Sequence, residues 1–189
     1  MRIKSVIIIV SLCSFIASSG NAQTNFRGKK YTTSAELINA LIDTVSNTPD
    51  RDFNVGGWID KATLNNKSLF EGLSKWLGIF GEGIYNTTPW NINRENALSG
   101  RQTVDVRFTK KNNNVYVFVK SFKDADILIH SFSTAANVKP INSITLLGST
   151  ERISWEQKEE GLLIEKPEVF PSDAALIFKL TFQEYYKAP

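Results

Sequence analysis

The sequence predicts a mainly β fold, with a C-terminal antiparallel β-sandwich following a small α/β segment. Three observations carry this reading. From Thr103 onward, apolar residues recur at every second position in several short runs, the pattern of strands with one buried face. Turn-forming residues separate those runs at short intervals. Before Gly100 the apolar spacing is mostly helical instead.

The first predicted element is a helix over Ser34 to Ser46. Leu37, Ile38, Leu41, Ile42 and Val45 share one face, and Thr33 and Glu36 have capping-box spacing. Thr48-Pro49-Asp50 stops it. Phe53 to Gly56 is a short strand candidate ending at Gly56-Gly57. A second helix runs from Lys67 to Phe80, where Leu69, Phe70, Leu73, Trp76, Leu77 and Phe80 lie together, and Gly81 and Gly83 end it.

In the second part, Val104, Val106 and Phe108 alternate with Asp105 and Arg107. Asn112-Asn113-Asn114 supplies a turn, since asparagine tolerates the left-handed conformation. Val115 to Phe122 is the returning strand. Further strands are expected at Ile127 to Phe132, Ser143 to Leu147, Ile153 to Gln157 and Leu162 to Glu165, with turns at Gly148-Ser149 and Glu159-Glu160-Gly161. In the last strand Leu176, Phe178, Leu180 and Phe182 face one way, and Ile177, Lys179 and Thr181 the other.

The N-terminus has the layout of a secretory signal peptide. Arg2 and Lys4 precede an apolar run from Val6 to Ile16, and Gly20 and Ala22 occupy the −3 and −1 positions of a cut before Gln23. The run is shorter than the roughly 20 residues of a membrane span. Residues 1–22 are therefore read as a signal peptide and the product as exported, periplasmic or extracellular, with no membrane span after cleavage. Cys13, the only cysteine, lies inside that segment, so no disulfide or thiolate metal site is expected beyond it. The net charge is +3, of which Arg2 and Lys4 account for two, and the remaining basic residues are scattered. A nucleic-acid partner would call for a concentrated basic face.

Little in the chain points to catalysis. His130 is the only histidine and cannot hold zinc without further nitrogen or sulfur ligands. Asp124 and Asp126 could form a carboxylate pair for glycoside hydrolysis or calcium, but they fall in an expected turn where aspartate serves local hydrogen bonding. Glu159-Glu160 reads the same way. Trp58, Trp76, Trp90 and Trp155 raise the idea of sugar stacking. Trp76 belongs to an apolar helix face, and Trp155, alternating with Ser154 and Glu156, falls on either the interior or the outer face of the sandwich. Trp58 follows a strand candidate on a loop and is the best placed of the four for ligand contact.

The run Trp76-Leu77-Gly78-Ile79-Phe80-Gly81-Glu82-Gly83-Ile84-Tyr85-Asn86-Thr87-Thr88-Pro89-Trp90 resembles the segment that closes the catalytic barrel of family-29 α-L-fucosidases, of the form G-x-W-L-x-x-N-G-E-x-I-Y-x-T-x-P-W. Asn54-Val55-Gly56-Gly57-Trp58-Ile59-Asp60 is similar to the strand and loop before it, and Ser34 to Ser46 to the preceding helix. Asp105-Val106-Arg107-Phe108-Thr109, Leu146-Leu147-Gly148-Ser149, Trp155-Glu156-Gln157 and Gly161-Leu162 look like that family's C-terminal β-sandwich. The family's leucine pair is Asp52-Phe53 here, its proline is Gly57, and its glycine after the aspartate is Lys61.

The resemblance implies three parts: a signal peptide (1–22), a remnant of a (β/α)8 barrel (23–100), and the sandwich domain (101–189). A whole barrel takes about 250 residues. No residue here matches the family's nucleophile or acid/base motifs, so no catalytic residue, metal site or cofactor is carried over. Asn54, Trp58 and Asp60 are the residues that the resemblance would place against substrate, a fucosylated glycan. The implied protein is an incomplete α-L-fucosidase, inactive on its own and able to self-associate through exposed barrel-remnant surface. The alternative is a non-catalytic carbohydrate-binding or structural module.

Overall fold

The structure, a computed structural model, describes residues 30–48, 55–59, 66–122, 124–136 and 138–183. Among the described residues, three helices come first. Helix α1 (Ser34–Asn47) is capped by the Thr33 side chain, which accepts from the backbone N–H of Glu36, as the capping-box spacing requires. Helix α2 is a single turn, Val55–Trp58. Helix α3 (Lys67–Phe80) starts at Asn66, whose side chain accepts from the backbone N–H of Leu69, and runs into a 3₁₀ turn at Gly81–Gly83.

Eight strands follow: β1 (Thr88–Ser99), β2 (Gln102–Lys111), β3 (Asn114–Lys120), β4 (Ile127–Ile129), β5 (Ile141–Leu146), β6 (Trp155–Gln157), β7 (Leu162–Ile164) and β8 (Ala175–Phe182). They make one sheet in the order β5-β8-β3-β2-β1-β4-β7-β6, with antiparallel pairing throughout. The sheet folds over on itself as a sandwich. Its two ends are tied by one side chain: the Gln157 carbonyl oxygen accepts from the Ile141 N–H at 3.0 Å, and its amide donates to the Phe132 carbonyl at 3.1 Å. That bridge covers backbone groups that an open edge would leave to another chain.

The inner face encloses the main core, which includes Val106, Phe108, Val117, Ile129, Phe132, Phe178 and Leu180. The alternation expected in β8 holds: Leu176, Phe178, Leu180 and Phe182 enter this core, and Ile177 turns to the other face. The hairpin between β2 and β3 turns at Asn112, with φ of +55°.

A second core lies on the outer face. Tyr116 and Phe118 of β3, with Ala175 and Ile177 of β8, pack under Leu37, Leu41, Val45, Leu69, Leu73 and Trp76 of the helices. The helices therefore dock on the sandwich, and β3 is buried on both sides.

Two expectations change. Val55 and Gly56 belong to a helical turn rather than a strand, while Phe53 and Asn54 lie outside the described residues. No strand among the described residues flanks Val55 to satisfy an extended backbone, whereas a helical turn satisfies itself, with the Ile59 N–H donating to the Val55 carbonyl at 3.1 Å. Strand β1 was not anticipated at all, and it brings the sheet's start back to Thr88. Smaller differences occur at Ile127 to Phe132, which turns into a 3₁₀ segment at His130, and at Ile153 to Gln157, where the strand begins at Trp155.

Candidate functional site

The segment from Gly81 to Trp90 joins helices to sheet, and its side chains explain how. Glu82 accepts from the Tyr116 hydroxyl at 2.9 Å and pairs with Lys179, so one carboxylate ties the 3₁₀ turn to β3 and β8. Lys179 chiefly, with Tyr116, holds the Glu82 carboxyl below its usual value against the opposing effect of burial. Burial, reinforced by the neighbouring Glu82 charge, pushes the Tyr116 hydroxyl far above its ordinary range. The Thr109 hydroxyl donates to the Gly83 carbonyl at 2.8 Å, and the Thr87 hydroxyl to that of Ile84 at 2.9 Å. Gly83 allows close approach: a Cβ there would sit 3.1 Å from Phe118 and 3.4 Å from Tyr116. Trp90 then enters the inner core, stacked on Phe132 at 4.7 Å.

A second tie joins α1 to the sheet. Asp43 accepts from Arg107 Nε at 2.9 Å and from Lys120 Nζ at 2.8 and 2.9 Å. Asp105 hydrogen-bonds Arg107 and approaches Lys120 to 3.4 Å. The two cations are nearly buried, with side chains 9% and 13% exposed. Charges so placed need each other, because a lone buried cation is costly. Glu95 plays a comparable part at the rim of β4, accepting from the backbone N–H groups of His130 and Ser131 at 2.6 and 3.0 Å.

Of the residues expected to contact substrate, Asn54 and Asp60 lie outside the described residues. Trp58 ends α2 and packs, half-buried, against the outer core. The structure thus gives Trp58 a packing role and does not bring the three together. Asp124 pairs with Lys166 at 2.8 Å, and Asp126 accepts from the Lys166 N–H at 2.9 Å, so both serve the turn. His130 Nδ1 lies 2.7 Å from the Glu160 carbonyl oxygen. Trp76 is core, with Nε1 donating to Ser172 at 3.2 Å, and Trp155 packs on the inner face. Among the described residues no three His, Cys, Asp or Glu side chains converge as metal ligands would.

A cleft with aromatic lining lies beside the β3–β4 connection and the loop before β8. Phe122 and Phe170 form one wall, their rings 5.3 Å apart and tilted by 39°. Sequence reasoning passed over both residues. The visible signal was Phe170 itself, an aromatic in a loop between Pro167 and Pro171.

Residues 100–181 match the α-L-fucosidase C-terminal domain. The tissue α-L-fucosidase of Mus musculus is 33% identical over 156 residues, covering 77% of this chain and 32% of that protein. The Homo sapiens tissue enzyme is 28% identical over 158 residues, covering 80% of this chain and 31% of that protein. The chain thus spans about a third of the length of the curated relatives it matches. A crystal structure of Thermotoga maritima α-fucosidase with a mechanism-based inhibitor superposes with a TM-score of 0.57 at 23% identity, over 79% of this chain and 34% of that one, which establishes shared fold. Over most of its length, then, the chain is related to the α-L-fucosidases, and residues 100–181 match their C-terminal domain.

Proposed function

We propose that this sequence acts as the C-terminal scaffold of an α-L-fucosidase, the part that seats the end of a catalytic barrel, and that it does not hydrolyse fucosides by itself. One observation carries this reading. The described carboxylates nearest the junction of helices and sheet are each committed within the fold: Asp43 and Asp105 to Arg107 and Lys120, Glu82 to Lys179 and Tyr116, and Glu95 to backbone N–H groups. A retaining glycosidase needs two free carboxyl groups about 5–5.5 Å apart, facing a sugar held between them. Such a pocket is built in barrel enzymes from several loops. The substrate class, a fucosylated glycan, and export through residues 1–22 belong to the same proposal.

The test is an assay of the purified chain from Gln23 on an aryl α-L-fucoside. No turnover above background is expected. Turnover that disappears in Asp60→Ala would overturn the proposal. For export, N-terminal sequencing of the secreted product should begin at Gln23, and an intact Met1 would refute cleavage there.

A further inference from the structure

We propose that the cleft between Phe122 and Phe170 is a binding subsite for a neutral pyranoside, separate from any catalytic pocket. Its volume, about 470 Å³, suits a small ligand. The floor is apolar, with buried Ala175 and Leu176 beneath the two rings, and Phe170 is 44% exposed. Phe170 is exposed, and Phe122 is tilted against it and partly buried on the inner core, so the pair presents an aromatic face on which the C–H side of a sugar ring can lie.

The polar walls fit hydroxyl groups. Ser121, Ser172, Asp124 and Asp173 line the cleft. Ser172 Oγ already accepts from Trp76 Nε1 at 3.2 Å and from the Ala174 N–H at 3.2 Å, which leaves its own O–H to offer a ligand. Asp173 is exposed and makes no ion pair among the described residues, so it can accept from a hydroxyl. The described lining carries two carboxylates, Asp124 and Asp173, which suit the hydroxyl donors of a sugar. Asp124 pairs with Lys166 at 2.8 Å. Two aromatic rings and one free carboxylate could also hold a quaternary ammonium ion. Hydroxyl donors and acceptors on both walls favour the sugar.

Choosing a 6-deoxy sugar as first probe rests on the proposed relation to fucoside chemistry. The chain from Gln23 would be titrated with methyl α-L-fucopyranoside, methyl α-D-glucopyranoside and choline while backbone amide NMR shifts are followed. Saturable shifts confined to residues 121–124 and 169–176 are expected with a fucoside Kd on the order of 1 mM. Phe170→Ala, at a position 44% exposed, should weaken binding roughly ten-fold with the urea midpoint measured alongside, and Asp173→Asn should weaken it less. Glucoside binding here without fucoside binding would keep the subsite and remove the link to fucose. No saturable shift with either glycoside, shifts elsewhere, tighter binding of choline, or an unchanged Kd in Phe170→Ala would overturn the proposal.

Discussion

Replacing Asp43 by alanine tests whether helices and sandwich are one cooperative unit. The change removes the carboxylate that accepts from Arg107 at 2.9 Å and Lys120 at 2.8 Å, while Asp105 continues to serve both cations. Breaking a fully buried pair costs about 3–5 kcal/mol, and an exposed one about 0.2–1 kcal/mol. The Asp43 side chain is 37% exposed against 9% and 13% for its partners, so the pair falls between these limits. With Asp105 left in place, we expect a loss of about 2 kcal/mol. In urea, where m is about 1–3 kcal/mol per molar, the midpoint should fall by roughly 1 M with m unchanged. Combining Asp43→Ala with Lys120→Met should recover about 1 kcal/mol through their coupling. A midpoint shift below roughly 0.3 M would show that the cluster is solvent-screened and that apolar packing alone holds α1. A marked drop in m would show that the helices detach before the sheet melts, refuting a single unit.

Four further outcomes follow from the same structure. Leu180→Ala, at a residue with no exposed surface, should cost about 2–5 kcal/mol in equilibrium unfolding, and a loss under 1 kcal/mol would contradict its place in the inner core. Because the Glu82 carboxyl is held below its ordinary 4.5, its contribution is present above that pH and is lost as pH falls through the lowered value. Its side chain is 44% exposed, so the effect stays below about 1 kcal/mol, and Glu82→Gln should shrink the stability difference between pH 6 and pH 3. At the other end, the raised Tyr116 hydroxyl contributes below pH 10 and loses that contribution as pH rises further, so Tyr116→Phe should flatten the alkaline limb. Gly161→Ala would set a Cβ 2.5 Å from the Ile129 carbonyl oxygen at a φ of +152°, and should lower stability by at least about 2 kcal/mol in the same urea assay.

Strands β2, β3 and β8, helices α1 and α3, and the asparagine turn could all be read before any coordinates, because each element carries its own period or cap. Phe178 and Leu180 alternate with Ile177 and Lys179, and Thr33 stands three residues before Glu36. The family relation was legible for the same kind of reason, since the run from Trp76 to Trp90 keeps its residue order. Strand β1 was not legible. Thr88–Ser99 is half exposed and mostly polar, and is held as a strand by its pairing with β2 and, at Leu98 and Ser99, with β4. Val55–Trp58 needed tertiary information too, since a lone extended segment lacks the neighbours that would bond its backbone. The outer core was half visible: Val115-Tyr116-Val117-Phe118-Val119 is apolar at every position, a sign of burial on both faces. Which elements cover that outer face is a matter of packing between distant segments, decided by where Asp43 meets Arg107 and Lys120, and Glu82 meets Tyr116 and Lys179. The Phe122–Phe170 cleft has the same origin, because two residues so far apart in sequence share no local pattern and meet only when the sheet closes.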